Sequence, residues 1–351
     1  MKFIHVADLH LGMHPDANKP WGKNRDQELW DTFERLIEKT EEEKADLLLI
    51  AGDLFHRQPM ISELRQVDYL FQKLSRTKVV LIAGNHDPLT KDSAYRSFAW
   101  SDHVFFIGSD KVIPVKVGDV WVYGFSYYDS TNPNPVYDTI EIQDPSAINI
   151  LLGHGGDVNH CPFQPEELAK LGFSYLAFGH IHKPDLSSTV PYGMPGSLEP
   201  LDITETGLHG YIQGEISEEG ICTYSFQAFS KRSYFEEEIL CEPYDTELSI
   251  RDKILDLISM EGIENIYKIH LKGHRDVDLE FDIDKLQSLG NILLVDETLL
   301  DYDFEALYQM NQDNLLGLFI RDLKDKEDEL SKQALYLGTR ALLTAMEGRE
   351  G

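Results

Sequence analysis

Five short apolar runs in the first 182 residues each stop at a polar, glycine-containing turn, and this constrains the fold more than any other feature. They are KFIHVADLH, ADLLLIAGD, KVVLIAGNHD, INILLGHGG and SYLAFGHIH. Runs of four to six apolar residues bounded in this way read as buried strands. Between the first two lies RDQELWDTFERLIEKTEEEKA, where Leu29, Phe33, Leu36 and Ile37 have helical spacing. Between the next two lies ISELRQVDYLFQKLSRT, with Leu64, Val67, Leu70, Phe71 and Leu74. Strand–helix–strand–helix–strand predicts an α/β domain with a parallel sheet covered by helices, later joined by strands such as DVWVYGFSYY.

The carboxyl ends of these strands carry the chemistry. The first delivers Asp8 and His10, the second Asp53, and the third Asn85, His86 and Asp87. Later runs deliver His154, then His180 and His182. Loops converge at the carboxyl edge of a parallel sheet, so ligands distant in sequence can share one cavity there. Asp8 and His10 lie two apart, as do His180 and His182, so each pair can face one direction as its strand ends. Oxygen and nitrogen donors without thiolate suit manganese, iron(II) or zinc. Two ions sharing one carboxylate would account for so many ligands. Of the 13 histidines, 11 fall before residue 216, which assigns metal or acid–base chemistry to the first part of the chain.

The second part, from about Ser230, reads as a small α+β domain. SYFEEEILC, NIYKIHLKGH and NILLVDETL are strands; DTELSIRDKILDLISM and FDIDKLQSLG are helices. The tail carries Leu330, Ala334, Leu337 and Ala341 at i, i+4, i+7 and i+11, with Leu335, Leu342, Leu343 and Met346 outside that stripe. The expected organisation is therefore 1–230, 231–305 and a helical tail over 306–351. With 42% hydrophobic and 26% charged residues, a disordered chain is excluded. The three cysteines form no CxxC pair, and the start MKFIHVADLHLG lacks the apolar run of a secretory leader. The longest apolar stretches are strand-sized, so no membrane span is expected, and cysteines that imply no disulfide framework lead to the expectation of a reducing cytoplasm.

The set DxH, GD, GNH, H and GHxH, in that order, resembles the calcineurin-like metallophosphoesterases. DLHLG, GDLFH, GNHD, GHIH and PGSLEPLD at 195–202 are most similar to the SbcD-type nuclease subunits, the YhaO branch included. GDLFHRQ and GNHD depart from the GDxVDRG and GNHE of the serine/threonine phosphatases. The resemblance covers about residues 1–215, and more weakly the α+β segment as a capping domain. It implies a metallophosphoesterase sandwich of central β-sheets flanked by helices. It implies that Asp8, His10 and His182 hold one divalent ion, that Asn85, His154 and His180 hold the other, and that Asp53 bridges them. Mn²⁺ is the expected metal, with Fe²⁺ or Zn²⁺ as alternatives. His86 would serve the leaving group and His56 would orient it. The implied activity is exonuclease and endonuclease cleavage of DNA in a repair complex with an SbcC-type coiled-coil ATPase, met by the helices after the cap. The alternative is a phosphodiesterase of small phosphoesters or cyclic nucleotides.

Charge bears on that choice. There are 32 Lys and Arg against 61 Asp and Glu, a net −29, which repels DNA at long range. The candidate phosphate contacts are scattered: Lys19, Lys23, Arg25, Arg57 and Arg96, with Trp21 as a stacking surface. Either a partner supplies the clamp, or a homodimer pools its patches, or the substrate is smaller than DNA. Among the other histidines, His5 is expected in the core, and His14, His103 and His160 on the surface. Pro195, Gly196 and Ser197 read equally as a turn or as a loop beside the substrate.

Overall fold

A computed structural model describes residues 1–137 and 140–347; the end of the expected tail, 348–351, lies outside them. The chain divides into two compact units, Met1–Phe235 and Glu236–Gly351.

The first unit runs β1 (Lys2–Val6), α1 (Arg25–Glu42), β2 (Leu47–Ala51), α2 (Ile61–Phe71), β3 (Lys78–Ile82), β4 (Val104–Phe106), β5 (Ile113–Val117), β6 (Val120–Gly124) and β7 (Ile148–His154). It continues with α3 (Pro165–Ala169), β8 (Tyr175–Gly179), β9 (Asp185–Leu186), β10 (Tyr192–Met194), β11 (Gly210–Ile216) and β12 (Cys222–Ala228). The strands form two six-stranded sheets, β12-β11-β1-β2-β3-β4 and β5-β6-β7-β8-β10-β9. The centre of each sheet is parallel, from β1 to β4 and from β6 through β7 and β8 to β10. Antiparallel strands close every edge except that at β4. The architecture is the expected sandwich, with two sheets where the periodicity alone predicts one. The β11–β12 hairpin, not among the strands picked out above, extends the first sheet.

Side-chain alternation explains the layering. In β2, Leu47, Leu49 and Ala51 join Phe3, Val80 and Ile82 in the core between the sheets, against Val122, Ile150, Leu152 and Ala177. The intervening Leu48 and Ile50 face outward with Ile4, Val6, Val79 and Leu81. There they meet Leu29, Phe33, Leu36 and Ile37 of α1 and Leu64, Val67 and Phe71 of α2. The second sheet turns Leu151, Leu176 and Phe178 to a third cluster with Tyr137 and Leu168. The central strands are thus apolar on both faces, as expected where both faces of a sheet are covered.

The second unit contains all but the first two residues of β13 (Tyr234–Cys241), then α4 (Glu247–Glu261), β14 (Ile266–Arg275), α5 (Ile283–Gln287), β15 (Asn291–Asp296), β16 (Leu299–Leu300), α6 (Phe304–Met310), α7 (Leu315–Leu323) and α8 (Glu329–Glu347). The order β13-β14-β15 defines a small sheet, with β16 also pairing β14. Thr246 caps α4 by accepting from the Ser249 N–H at 3.2 Å, and Asn314 caps α7. The tail stripe read from spacing is the outward face of α8: Leu330 and Leu337 are 77% and 67% exposed. The covered face is instead Leu335, with Leu342 and Leu343, packed on Leu316 and Ile320 of α7. Among the described residues no helix is long and apolar enough to cross a membrane.

Candidate metal centre

The loops after β1 and β2 stay laced together beyond the strand ends. The N–H groups of Asp8 and His10 donate to the Gly52 and Asp53 carbonyls at 3.2 and 3.1 Å. This carries Asp8, His10 and Asp53 side by side into the core, where each is at most 1% exposed. Gly52 has φ +85°, and a Cβ there would strike the His154 ring. A Cβ on Gly84 would strike the Asp53 carboxylate. These two glycines keep open the space in which the polar side chains meet.

The structure brings all seven predicted donors together, from five strand ends. His10 Nε2 lies 3.0 Å from His182 Nε2 and 3.8 Å from Asp53 Oδ2. Asp53 Oδ2 is 3.4 Å from His154 Nε2. Asn85 Oδ1 lies 2.8 Å from His154 Nε2 and 3.1 Å from His180 Nδ1. Asp8 accepts from the His180 N–H at 2.9 Å and stands 3.9 Å from His154. Asp8, His10 and His182 form one group whose ligand atoms lie within 4.8 Å of one another; Asp8, Asp53 and His154 form a second. His154 Nδ1 donates to the Ala51 carbonyl at 2.8 Å, so its Nε2 is the nitrogen turned to the cluster.

His86 is exposed, with its ring 4.8 Å from His10 and stacked 5.1 Å from His56. Its backbone N–H donates to Asp53 at 2.8 Å. His56 touches both neighbours, since its Nδ1 also lies 3.3 Å from His10 Nδ1. Asp87 points away from the cluster. It accepts from Gly84 N–H, Phe55 N–H and the Tyr95 hydroxyl at 2.8, 3.1 and 2.8 Å, tying together the loops after β2 and β3.

Electrostatics fit a cation. Asp8 and Asp53 are buried carboxylates whose ion partners, among the described residues, are histidines alone. Burial opposes charge on His154, but Asp53 and Asp8 outweigh it and lift its pKa to about 9. Burial likewise opposes charge on His182, and Glu205 and Asp8 lift it to about 9. His180 moves the other way, down to about 4, through burial and the neighbouring His154. The two buried carboxylates thus favour positive charge on the rings beside them, His154 and His182. The donor set therefore suits divalent ions on the chemistry of the residues themselves.

Sequence reasoning missed an outer ring of contacts. Asp157 holds His180, Glu205 holds His182, and His160, expected on the surface, packs its ring 4.4 Å from that of His180. Ser197 is fully buried and bonds His209 at 2.9 Å, so the 195–197 turn supports the site from within. Of the candidate phosphate contacts, Arg25 is buried against Glu28, Arg57 pairs with Glu63, and Arg96 donates to the Thr90 and Leu89 carbonyls. Trp21, half-buried, donates to Asp16.

Fold and donor set together define a metal-dependent phosphoesterase. The chain belongs to the calcineurin-like phosphoesterases, whose family model matches residues 1–184, and this family works with two divalent metal ions. Over 325 residues it is 27% identical to the DNA double-strand break repair protein Mre11 of Archaeoglobus fulgidus, covering 80% of this chain and 70% of that protein. The protein of the same name from Methanocaldococcus jannaschii is 31% identical over 193 residues, 52% of each chain. The uncharacterized metallophosphoesterase YhaO of Bacillus subtilis is 28% identical over 251 residues, 65% of this chain and 60% of that one. The matches thus span from about half to 70% of these relatives' lengths.

Proposed function

We propose that the chain is a DNA nuclease subunit that hydrolyses phosphodiesters in a repair complex with an SbcC-type coiled-coil ATPase. One observation carries the reading: seven oxygen and nitrogen donors from five strand ends converge on one rim, with the exposed His86 imidazole beside them. Relatives that bear the name of a DNA double-strand break repair protein support the choice of substrate. In this reading Asp8, His10 and His182 hold one ion, Asn85, His154 and His180 the other, and Asp53 both. Mn²⁺ is the expected metal, with Fe²⁺ or Zn²⁺ as alternatives. When bound, the pair supplies an acidified water as nucleophile and neutralises charge on the phosphoryl oxygens. His86 donates a proton or hydrogen bond to the leaving oxygen, a role its exposed imidazole beside the donors can reach. His56, stacked on His86 and bonded to His10, fixes the angle of both rings. Residues 1–230 would be the nuclease domain, 231–305 its cap, and 306–351 the segment that meets the ATPase. The exposed Leu330 and Leu337 of α8 supply an apolar face for that contact.

A second reading, a phosphodiesterase of small esters or cyclic nucleotides, is favoured by one observation: three of the five candidate phosphate-binding cations already have partners within the chain, Arg25 in the core and Arg57 and Arg96 at the surface. The test is turnover by the purified chain with Mn²⁺ of linear DNA and of bis-p-nitrophenyl phosphate, with and without the ATPase. Hydrolysis of both, with DNA cleavage rising when the partner is present, is expected. Turnover of the small ester alone, even with the partner, would move the assignment to the second reading.

A further inference from the structure

His180 and His182 come from one short loop, yet they offer different nitrogens to the cluster. His180 turns Nδ1 to Asn85 Oδ1 at 3.1 Å, whereas His182 turns Nε2 to His10 Nε2 at 3.0 Å. A neutral imidazole ligates through one nitrogen only and carries its proton on the other, so the two rings need opposite tautomers. Each remaining nitrogen meets a carboxylate. His180 Nε2 lies 2.8 Å from Asp157 Oδ2, and His182 Nδ1 lies 2.6 Å from Glu205 Oε1. An ionised carboxylate only accepts, so each one fixes the proton on the nitrogen it touches.

Both carboxylates are themselves held. Asp157 Oδ1 accepts the Asn159 N–H at 2.7 Å, and both its oxygens lie 2.9 Å from His160 Nδ1. Glu205 Oε2 accepts the Leu201 N–H at 2.9 Å and the Ser197 hydroxyl at 3.3 Å. Ser197 is in turn bonded to the buried His209. The two devices are built alike on separate loops, one for each histidine of the GHIH pair.

We infer that Asp157 and Glu205 are positioning residues that select opposite tautomers of His180 and His182, and so set the affinity of the two metal positions independently. The inference rests on the ligand assignment proposed above. His160 and Ser197 act one step further out, by holding the carboxylates.

The test is calorimetric titration of the metal-free full chain with Mn²⁺, with circular dichroism as the check on folding. The wild type should bind two ions. Asp157→Ala should weaken one binding step and Glu205→Ala the other, each by roughly 10–100-fold, the usual loss when a metal-bound histidine loses its outer partner. Asp157→Asn and Glu205→Gln keep an acceptor oxygen for the ring N–H and should recover part of that loss. The double alanine variant should weaken both steps. Folded alanine variants that bind two ions as tightly as the wild type would overturn the inference while leaving the ligand assignment standing. So would alanine variants that weaken both steps equally, or amide variants no better than alanine. A wild-type chain that binds no Mn²⁺ would refute the ligand assignment itself.

Discussion

Four of the seven donors sit in a backbone conformation that side chains other than glycine rarely adopt. Asp8, His10, Asp53 and His180 have φ of 53°, 46°, 48° and 113°. Such geometry costs of order 1–3 kcal/mol per residue and persists where the surroundings over-determine it. Here the lacing of the post-β1 and post-β2 loops does so for Asp8, His10 and Asp53, and the His180 N–H bond to Asp8 does so for His180; the result is convergence of the donors. The donors themselves were legible because the motifs recur at successive strand ends. Asp157 and Glu205 were not, since nothing local distinguishes them among 61 acidic residues. His86 yields a direct prediction: His86→Gln should leave metal binding unchanged and lower kcat on bis-p-nitrophenyl phosphate by about 10²–10⁴-fold, the usual worth of general acid catalysis. Steady-state kinetics beside a Mn²⁺ titration would check it, and unaltered kcat would remove His86 from the reaction. His5 gives another, on stability. It is fully buried with Nδ1 3.0 Å from the Tyr175 hydroxyl, and burial lowers its pKa to about 3. The folded protein therefore keeps His5 neutral while the unfolded chain takes up a proton. Its contribution is complete above about pH 6.5 and is lost as pH falls from there towards 3, by up to about 5 kcal/mol. Urea unfolding across that window should show a shallower acid limb in His5→Gln than in the wild type.

At the scale of elements, periodicity identified α1 and α2 and the strands β1, β2, β3, β7 and β8. The helices carry one apolar stripe each, and the strands are near-continuous apolar runs, as burial on both faces of a sheet demands. The second sheet could not be read, because residues alternating between two buried layers look alike in sequence whichever layer they face. In the tail, the regular stripe Leu330, Ala334, Leu337 and Ala341 is the face turned to solvent, while the less regular set around Leu335 packs on α7. Contact with one neighbouring helix, rather than spacing alone, decided which side was covered. Leu335→Ala should therefore destabilise the α7–α8 pair by about 2–5 kcal/mol, whereas Leu337→Ala should change it by less than about 0.5 kcal/mol. Amide hydrogen exchange of the two helices in the full chain would separate the cases. Equal effects would contradict the packing described.

For the whole molecule, a net charge of −29 sets the terms on which it can meet a polyanion. The exposed Lys23 lies on the loop after the first motif, but Arg25 on the same stretch is withdrawn into a buried cluster with Glu28 and Glu199. Burial of that arginine follows from its tertiary partners Glu199 and the Pro200 carbonyl, about 175 residues away in sequence, and no local pattern announces it. The central claim is that the rim of the first unit is a dinuclear cage. Anomalous diffraction from crystals of the full chain soaked in Mn²⁺ tests it most directly. Two peaks should appear within ligand distance of Asp8, His10, Asp53, Asn85, His154, His180 and His182, with Asp53 reaching both. Peaks elsewhere, or none among those side chains, would contradict the account.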